Sequence, residues 1–214
     1  MKAKEGSQQK AVGRNPSREH NLIAGLILAA GESSRMGKDK ALLTHQGQTF
    51  LESIVAKLRE AGVGRIAVVL GHHAEEIQRA VKLESVEIVV NRDYQQGQTS
   101  SLQAGLRALE SSNAEAVVLC PVDHPAFSPE TVRRLIEAFG QNHLPAAIPT
   151  FQGQRGHPVL IGRELFGELL ALPADRGANN VMRQHRDATA FIDVEDPGIL
   201  LDIDDPEAYR QLSS

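Results

Sequence analysis

Tryptophan is absent, aromatic residues make up 4% of the chain, and there is a single cysteine in 214 residues. So few aromatics leave nothing for a base-stacking surface, and a formal net charge of −4 offers no electrostatic case for a nucleic-acid partner. One cysteine, Cys120, excludes an internal disulfide and a cysteine-built zinc site, and points to the cytoplasm. No apolar run approaches the ~20 residues of a membrane span, so no membrane partner is expected. Residues 1–20 are polar and charged, without the apolar stretch of a secretory signal, and read as a disordered tail.

What remains is a composition of globular type, 41% hydrophobic and 23% charged, enough for one α/β domain over residues 21–214. The stretch that organises it is LIAGLILAAGESSRMGKDK, from Leu22 to Lys40. An apolar run from Leu22 to Ala30 has the look of a buried strand and empties into a turn holding Gly31, Ser33, Ser34 and Gly37. In such a loop successive N–H groups can point at phosphate oxygens, while Arg35, Lys38 and Lys40 supply positive charge for a triphosphate. The loop is not a Walker A motif, because Gly31 to Gly37 has one residue too many and Asp39 follows Lys38. It also lacks the GxGxxG of a dinucleotide fold.

Apolar spacing then predicts a helix over 49–61, a strand at 65–70, a helix from 74 to about 81 and a strand at 86–90. Helix and strand alternate in this way in a parallel sheet with helices on both faces. Thr99, Ser100 and Ser101 open a helix whose free N–H groups and hydroxyls suit an anion or a ribose. Ala116–Cys120 is the next buried strand, and PVDHP at its end carries Asp123 toward the glycine loop, since ligands bind at the carboxyl ends of such strands. Further on come a helix from 128 to about 139, a strand at 146–149 and the strand PVLI entered through His157. The segment ILLDIDDP (199–206) reads as a strand with Asp202 and Asp204 on one side. The pair His72 and His73, after Gly71, edges the same end of the sheet without a third metal ligand.

LAAGESSRMG followed by lysine, SSLxxGL after Thr99, PVDHP, RGHPV and DIDDPEAY stand in the order of the corresponding motifs in the MobA-like nucleotidyltransferases. The chain resembles that family from Leu22 to Tyr209, and within it most closely the molybdenum cofactor cytidylyltransferases. The resemblance implies a single Rossmann-like three-layer α/β/α domain with a mostly parallel central sheet, of the nucleotide-diphospho-sugar transferase kind. It implies transfer of CMP from CTP to the terminal phosphate of molybdopterin, a pterin-phosphate acceptor, with Mg2+ as cofactor and transient contact with a molybdenum dehydrogenase that receives the product. CTP is favoured over GTP because Leu28, Ala29, Ala30 and Gly31 read LAAG where guanylyltransferases carry LAGG.

Carried over residue by residue, the resemblance puts Ser34, Arg35 and Lys40 on the phosphates, with Arg35, Lys40 and Asp123 as the catalytic set. Gly71, Asn91, Ser100 and Ser101 join Leu28–Gly31 around the nucleotide. Asp123 and Asp204 become the metal ligands, with Asp202 in support. His157, Asp175 and Arg176 fall on the acceptor side. Two departures stand out: Gln98 replaces a usual methionine, and LPADRGANN has Ala174 and Asn179 where the family's GDxGAR has glycine and arginine, leaving Arg176 as the substitute guanidinium.

Rival classes fare worse. LLDIDD resembles the nucleophile strand of haloacid dehalogenase phosphatases, but only one helix follows it. A non-catalytic cofactor carrier or insertion chaperone would not need Asp123, Asp202 and Asp204. A nicotinamide-dependent oxidoreductase is disfavoured by the missing fingerprint.

Overall fold

The computed structural model describes residues 22–142 and 144–212, so the tail expected at 1–20 lies outside the described residues. In chain order, β1 (Ile23–Ala29) is followed by a short hairpin, β2 (Thr44–His45) and β3 (Gln48–Thr49), then α1 (Phe50–Glu60), β4 (Arg65–Leu70), α2 (Ala74–Ala80) and β5 (Glu87–Val90). Next come α3 (Gln98–Glu110), β6 (Ala116–Pro121), α4 (Pro129–Asn142), β7 (Ala146–Phe151), β8 (Gln154–Arg155) and β9 (Val159–Gly162). The chain closes with α5 (Phe166–Leu170), α6 (Asn179–Gln184), β10 (Thr189–Asp193) and α7 (Pro206–Leu212).

All seven residues of β1 are buried, as an unbroken apolar run requires in a strand covered on both faces. The main sheet has the order β10-β7-β9-β6-β1-β4-β5, with β8 added to β7. β1 lies parallel to β4 and β6, β4 parallel to β5, and β7 parallel to β10. Only β9 breaks the pattern in the main path, running antiparallel to both β6 and β7, because the link from β7 is too short for a parallel crossover. The result is the mostly parallel α/β sheet that the alternation of elements predicts. Among the described residues no helix is long and apolar enough to cross a membrane.

Side chains alternate across the sheet and divide the core in two. On one face Ile27, Val68 and Val118 pack with Phe50, Ile54 and Leu58 of α1 and Leu135 and Phe139 of α4. On the other, Leu26, Val69 and Val117 meet Leu102, Leu106 and Leu109 of α3 and Leu169 of α5. α1 starts where the sequence places it because Thr49 and Glu52 form a reciprocal capping box.

One expected element does not form. Residues 199–205 are not a strand: a 3-10 turn (Pro197–Leu200) leads into extended chain without a ladder partner. Its alternating pattern imitates a strand, yet Leu201 is 44% exposed and the segment forms no ladder with β7 or β8 beside it. The segment is pinned instead by isolated bonds, His157 N–H to Ile199 O (3.0 Å) and Ile203 N–H to Asp123 O (2.9 Å). Gly156 permits this close approach, since a Cβ there would lie 2.3 Å from the Ile199 carbonyl oxygen. Gly156→Ala is therefore expected to cost about 1–3 kcal/mol by forcing backbone apart. A urea unfolding midpoint indistinguishable from that of the unsubstituted protein would contradict this packing.

Candidate functional site

Parallel register sets the site. Leu28 of β1 pairs with Pro121 of β6 on one side and Val69 of β4 on the other, so the loops after all three strands open at one end of the sheet. Val122 N–H donates to Leu28 O (3.0 Å) and His72 N–H to Ala30 O (3.2 Å), which ties those loops together. The loops after β1 and β6, with the start of α3, border a cavity of about 310 Å3 whose wall includes Leu28, Ala29, Ala30, Gly31, Ser34, Lys40, Ser101, Asp123 and Asp204, all named from sequence.

The glycine loop turns through Ser33 (φ 50°) and Gly37 (φ 65°), both in the left-handed region. Ser33 Oγ then accepts from Lys40 N–H at 3.0 Å, and Asp39 Oδ1 accepts from Ala41 N–H at 3.0 Å. With its backbone held on both sides, Lys40 extends a side chain that is only 11% exposed between two carboxylates. Its Nζ lies 2.6 Å from Asp204 Oδ1 and 3.2 Å from Asp123 Oδ2. Burial on its own would lower the Lys40 pKa. The hydrogen bond to Asp204 and the charge of Asp123 outweigh it, so the ammonium is held above its usual range.

Three carboxylates face this one ammonium, since Asp202 reaches the same corner. Asp123, His124 and Asp202 each offer a ligand atom, all within 4.8 Å of one another. Burial first, then the Asp123 charge, raises the Asp202 pKa. His124 Nδ1 is buried and has no hydrogen-bond partner. Carboxylates and an imidazole in reach of each other, with surplus negative charge, form a donor set that fits a divalent cation. The sequence placed Asp202 and Asp204 on one side of a strand. In the folded chain they diverge, Asp202 toward Asp123 and His124 and Asp204 toward Lys40.

A second cavity, of about 490 Å3, joins the first through Leu28, Gln98 and Pro121. His157 lines it, its ring centroid 4.6 Å from that of His124 and tilted by 48°, so this expected acceptor residue sits beside the carboxylate corner. Asp175 and Arg176 are exposed and line neither cavity, and the carbonyl of Arg176 accepts from Thr99 Oγ1 at 2.7 Å. The start of α3 differs in detail from the sequence expectation: Gly97 is its N-cap and the hydroxyls lie inside its first turn. Asn91 supports them, donating to Ser100 Oγ and Ser101 Oγ at 3.0 Å each. Gly71 lets Tyr94 pack close, as a Cβ would meet the Tyr94 Cβ at 2.6 Å. The side chain of Arg35 lies outside the described residues.

Several wall residues were not read from sequence. Tyr94 faces the first cavity and hydrogen-bonds His72 (3.2 Å), and Asp39 lines the same cavity with a carboxyl whose pKa burial raises. A buried Asp directly before the loop lysine was a visible signal, because an acidic residue among phosphate-binding cations needs a structural reason. Cys120 is fully buried and burial pushes its thiol pKa up, so it is no nucleophile.

A mostly parallel three-layer α/β domain with a glycine-rich cationic loop facing carboxylates at strand ends is the architecture of the nucleotidyltransferases. The family described as "MobA-like NTP transferase domain" matches residues 25–189, and the chain belongs to it. It is 32% identical over 197 residues to the nicotine blue oxidoreductase of Paenarthrobacter nicotinovorans, covering 89% of this chain and 96% of that protein. Rv0371c of Mycobacterium tuberculosis H37Rv superposes with a TM-score of 0.80 at 32% identity, over 90% of this chain and 97% of that one, and has also been crystallised with manganese. A nucleotidyl transferase from Methanothermobacter gives a TM-score of 0.77 at 27% identity, over 90% and 96% of the two chains.

Burial, reinforced by the neighbouring His124 and opposed by Asp123, lowers the His157 pKa to about 4. The unfolded state then binds more protons than the folded one between about pH 6.5 and 4, so stability falls as pH drops through that window. The loss from this group reaches roughly 3 kcal/mol. In His157→Phe, urea titrations across the window are expected to show a correspondingly shallower pH slope, and an unaltered slope would refute the buried neutral imidazole.

Proposed function

We propose that the protein transfers CMP from CTP to the terminal phosphate of molybdopterin, releasing pyrophosphate in a Mg2+-dependent reaction. The observation that carries this reading is the half-buried ammonium of Lys40 between Asp123 and Asp204, in the wall of a cavity that adjoins a larger one through Leu28, Gln98 and Pro121. LAAG at Leu28–Gly31 supports cytosine over guanine through the family resemblance. The cofactor assignment draws on the donor set at Asp123 and on the manganese complex of Rv0371c.

The first cavity takes the triphosphate, with main-chain N–H groups of the glycine loop directed at its β- and γ-phosphates. Lys40 neutralises charge that builds on the α-phosphoryl group. An oxygen of the acceptor phosphate attacks the α-phosphorus in line, the bond from that phosphorus to the bridging oxygen breaks, and pyrophosphate leaves with the bond's electron pair. A divalent cation would be held by Asp123 and Asp204, with Asp202 in support and His124 beside them, and would supply further neutralisation of the phosphates. The acceptor phosphate is already an anionic nucleophile, so no general base is required. Product handover to a molybdenum dehydrogenase is part of the same proposal.

The name of the Paenarthrobacter relative, nicotine blue oxidoreductase, raises a redox reading. The charged corner around Lys40 is unnecessary for hydride transfer, which favours the transferase. Two measurements decide. Asp123→Asn is expected to abolish pyrophosphate release, a loss of at least about 100-fold, with an unchanged circular dichroism spectrum. Retained turnover would refute its assignment. Across CTP, GTP, ATP and UTP with molybdopterin as acceptor, CTP is expected to be used fastest. A preference for another nucleotide, or acceptor-independent NADPH oxidation in its place, would overturn the reading.

A further inference from the structure

The second cavity carries a charge imbalance that the chemistry at Lys40 leaves unused. Arg155, Arg183 and Arg186 line it, and no carboxylate does, in a chain of formal net charge −4. Among the described residues none of the three guanidinium groups is paired with an Asp or Glu. Arg183 makes two long bonds, at 3.3 Å each, to Asn179 O and Asn180 Oδ1, and Arg155 lies 4.7 Å over the ring of Phe191. The wall between them is apolar, built from residues such as Leu119, Val159 and Ile161. Phe191 itself is 40% exposed, one of few large apolar side chains left in water.

Placement decides what these cations can hold. Lys40, Asp123 and Asp204 line the first cavity and not the second, while the arginines line the second and not the first. A phosphate positioned to attack at Lys40 is therefore not the group that the arginines bind. Arg183 closes α6 and Arg186 opens the 3-10 turn that follows (Arg186–Ala188), and both face the cavity. They stand beyond Asn179, the position where the family's loop arginine is missing, and Arg176 is directed elsewhere.

Resting on the transferase reading above, we infer that the acceptor has its attacking phosphate at one end of a flat body and an oxygen-rich, hydrogen-bond-accepting edge at the other. Its attacking phosphate lies at the Lys40 end. The accepting edge, such as the carbonyl side of a pterin or an anion, lies against Arg183 and Arg186, and Arg155 with Phe191 covers the body. Arg183 and Arg186 are thus specificity-determining residues for the acceptor and not catalytic ones, because they touch neither the reacting phosphorus nor the leaving group.

The test uses the full chain carrying Arg183→Gln with Arg186→Gln, and a second pair, Arg183→Lys with Arg186→Lys. The first probe is 8-anilinonaphthalene-1-sulfonate, a flat apolar body with one anionic end, titrated by fluorescence in the presence of saturating CTP. The glutamine pair is expected to weaken dye binding by about tenfold or more, the loss of a charge-assisted contact, and the lysine pair to recover most of it. The second probe is molybdopterin in the pyrophosphate-release assay, where the glutamine pair should raise the acceptor KM by a similar factor and leave kcat and the KM for CTP unchanged. Unchanged dye affinity in the glutamine pair, or an unchanged KM for molybdopterin when it is turned over, would overturn the inference. Arginine-dependent dye binding without any turnover of molybdopterin would uphold the anion site and remove the pterin reading instead.

Discussion

The ion pair of Lys40 with Asp123 and Asp204 is the contact on which the rest of the molecule depends. It joins three parts of the chain that are far apart in sequence: the loop after β1, the end of β6 and the carboxyl-terminal segment before α7. A half-buried ammonium needs compensation, and two carboxylates provide more than enough. The surplus is the functional point, because a corner with net negative charge attracts a cation, and a cation in turn attracts a triphosphate. The groups that satisfy one another here are those that nucleotide and metal would compete for in the proposed reaction.

Everything else positions that corner. Parallel register of β1, β4 and β6 brings three loops to one end of the sheet, and the two apolar layers hold the register by burying both faces. β9, inserted antiparallel between β6 and β7, is entered through His157, whose ring meets that of His124, and lines the second cavity, which joins the first at Leu28, Gln98 and Pro121. The division of charge follows this partition, with Asp123 and Asp204 lining the first cavity and Arg155, Arg183 and Arg186 the second.

Much of this could be read from the chain beforehand, and for physical reasons. A buried strand such as β1 writes itself as an apolar run, and a loop that must approach phosphate writes itself as glycine, serine and cation. Asp123 was legible because a short buried strand delivers it to the ligand end of the sheet. What could not be read depends on contacts distant in sequence. Residues 199–205 carry the alternation of a strand, but alternation does not supply a neighbour to pair with, and the segment is held by single bonds to Asp123 and His157. The missing arginine at Asn179 was sought at Arg176, three residues earlier. The guanidinium groups that reach the cavity lie four and seven residues later, since the path of α6 and its following turn, not sequence proximity, decides which side chains face inward. His124 gains its significance only from burial and from Asp123 and Asp202 beside it, which a single sequence does not display.

The most direct test of the Lys40 corner is anomalous diffraction from crystals grown with Mn2+ and a non-hydrolysable CTP analogue. The account predicts a single anomalous peak in contact with Asp123, and Lys40 Nζ moved onto the α-phosphate. An analogue bound away from the glycine loop, with Lys40 still locked between Asp123 and Asp204, would contradict it.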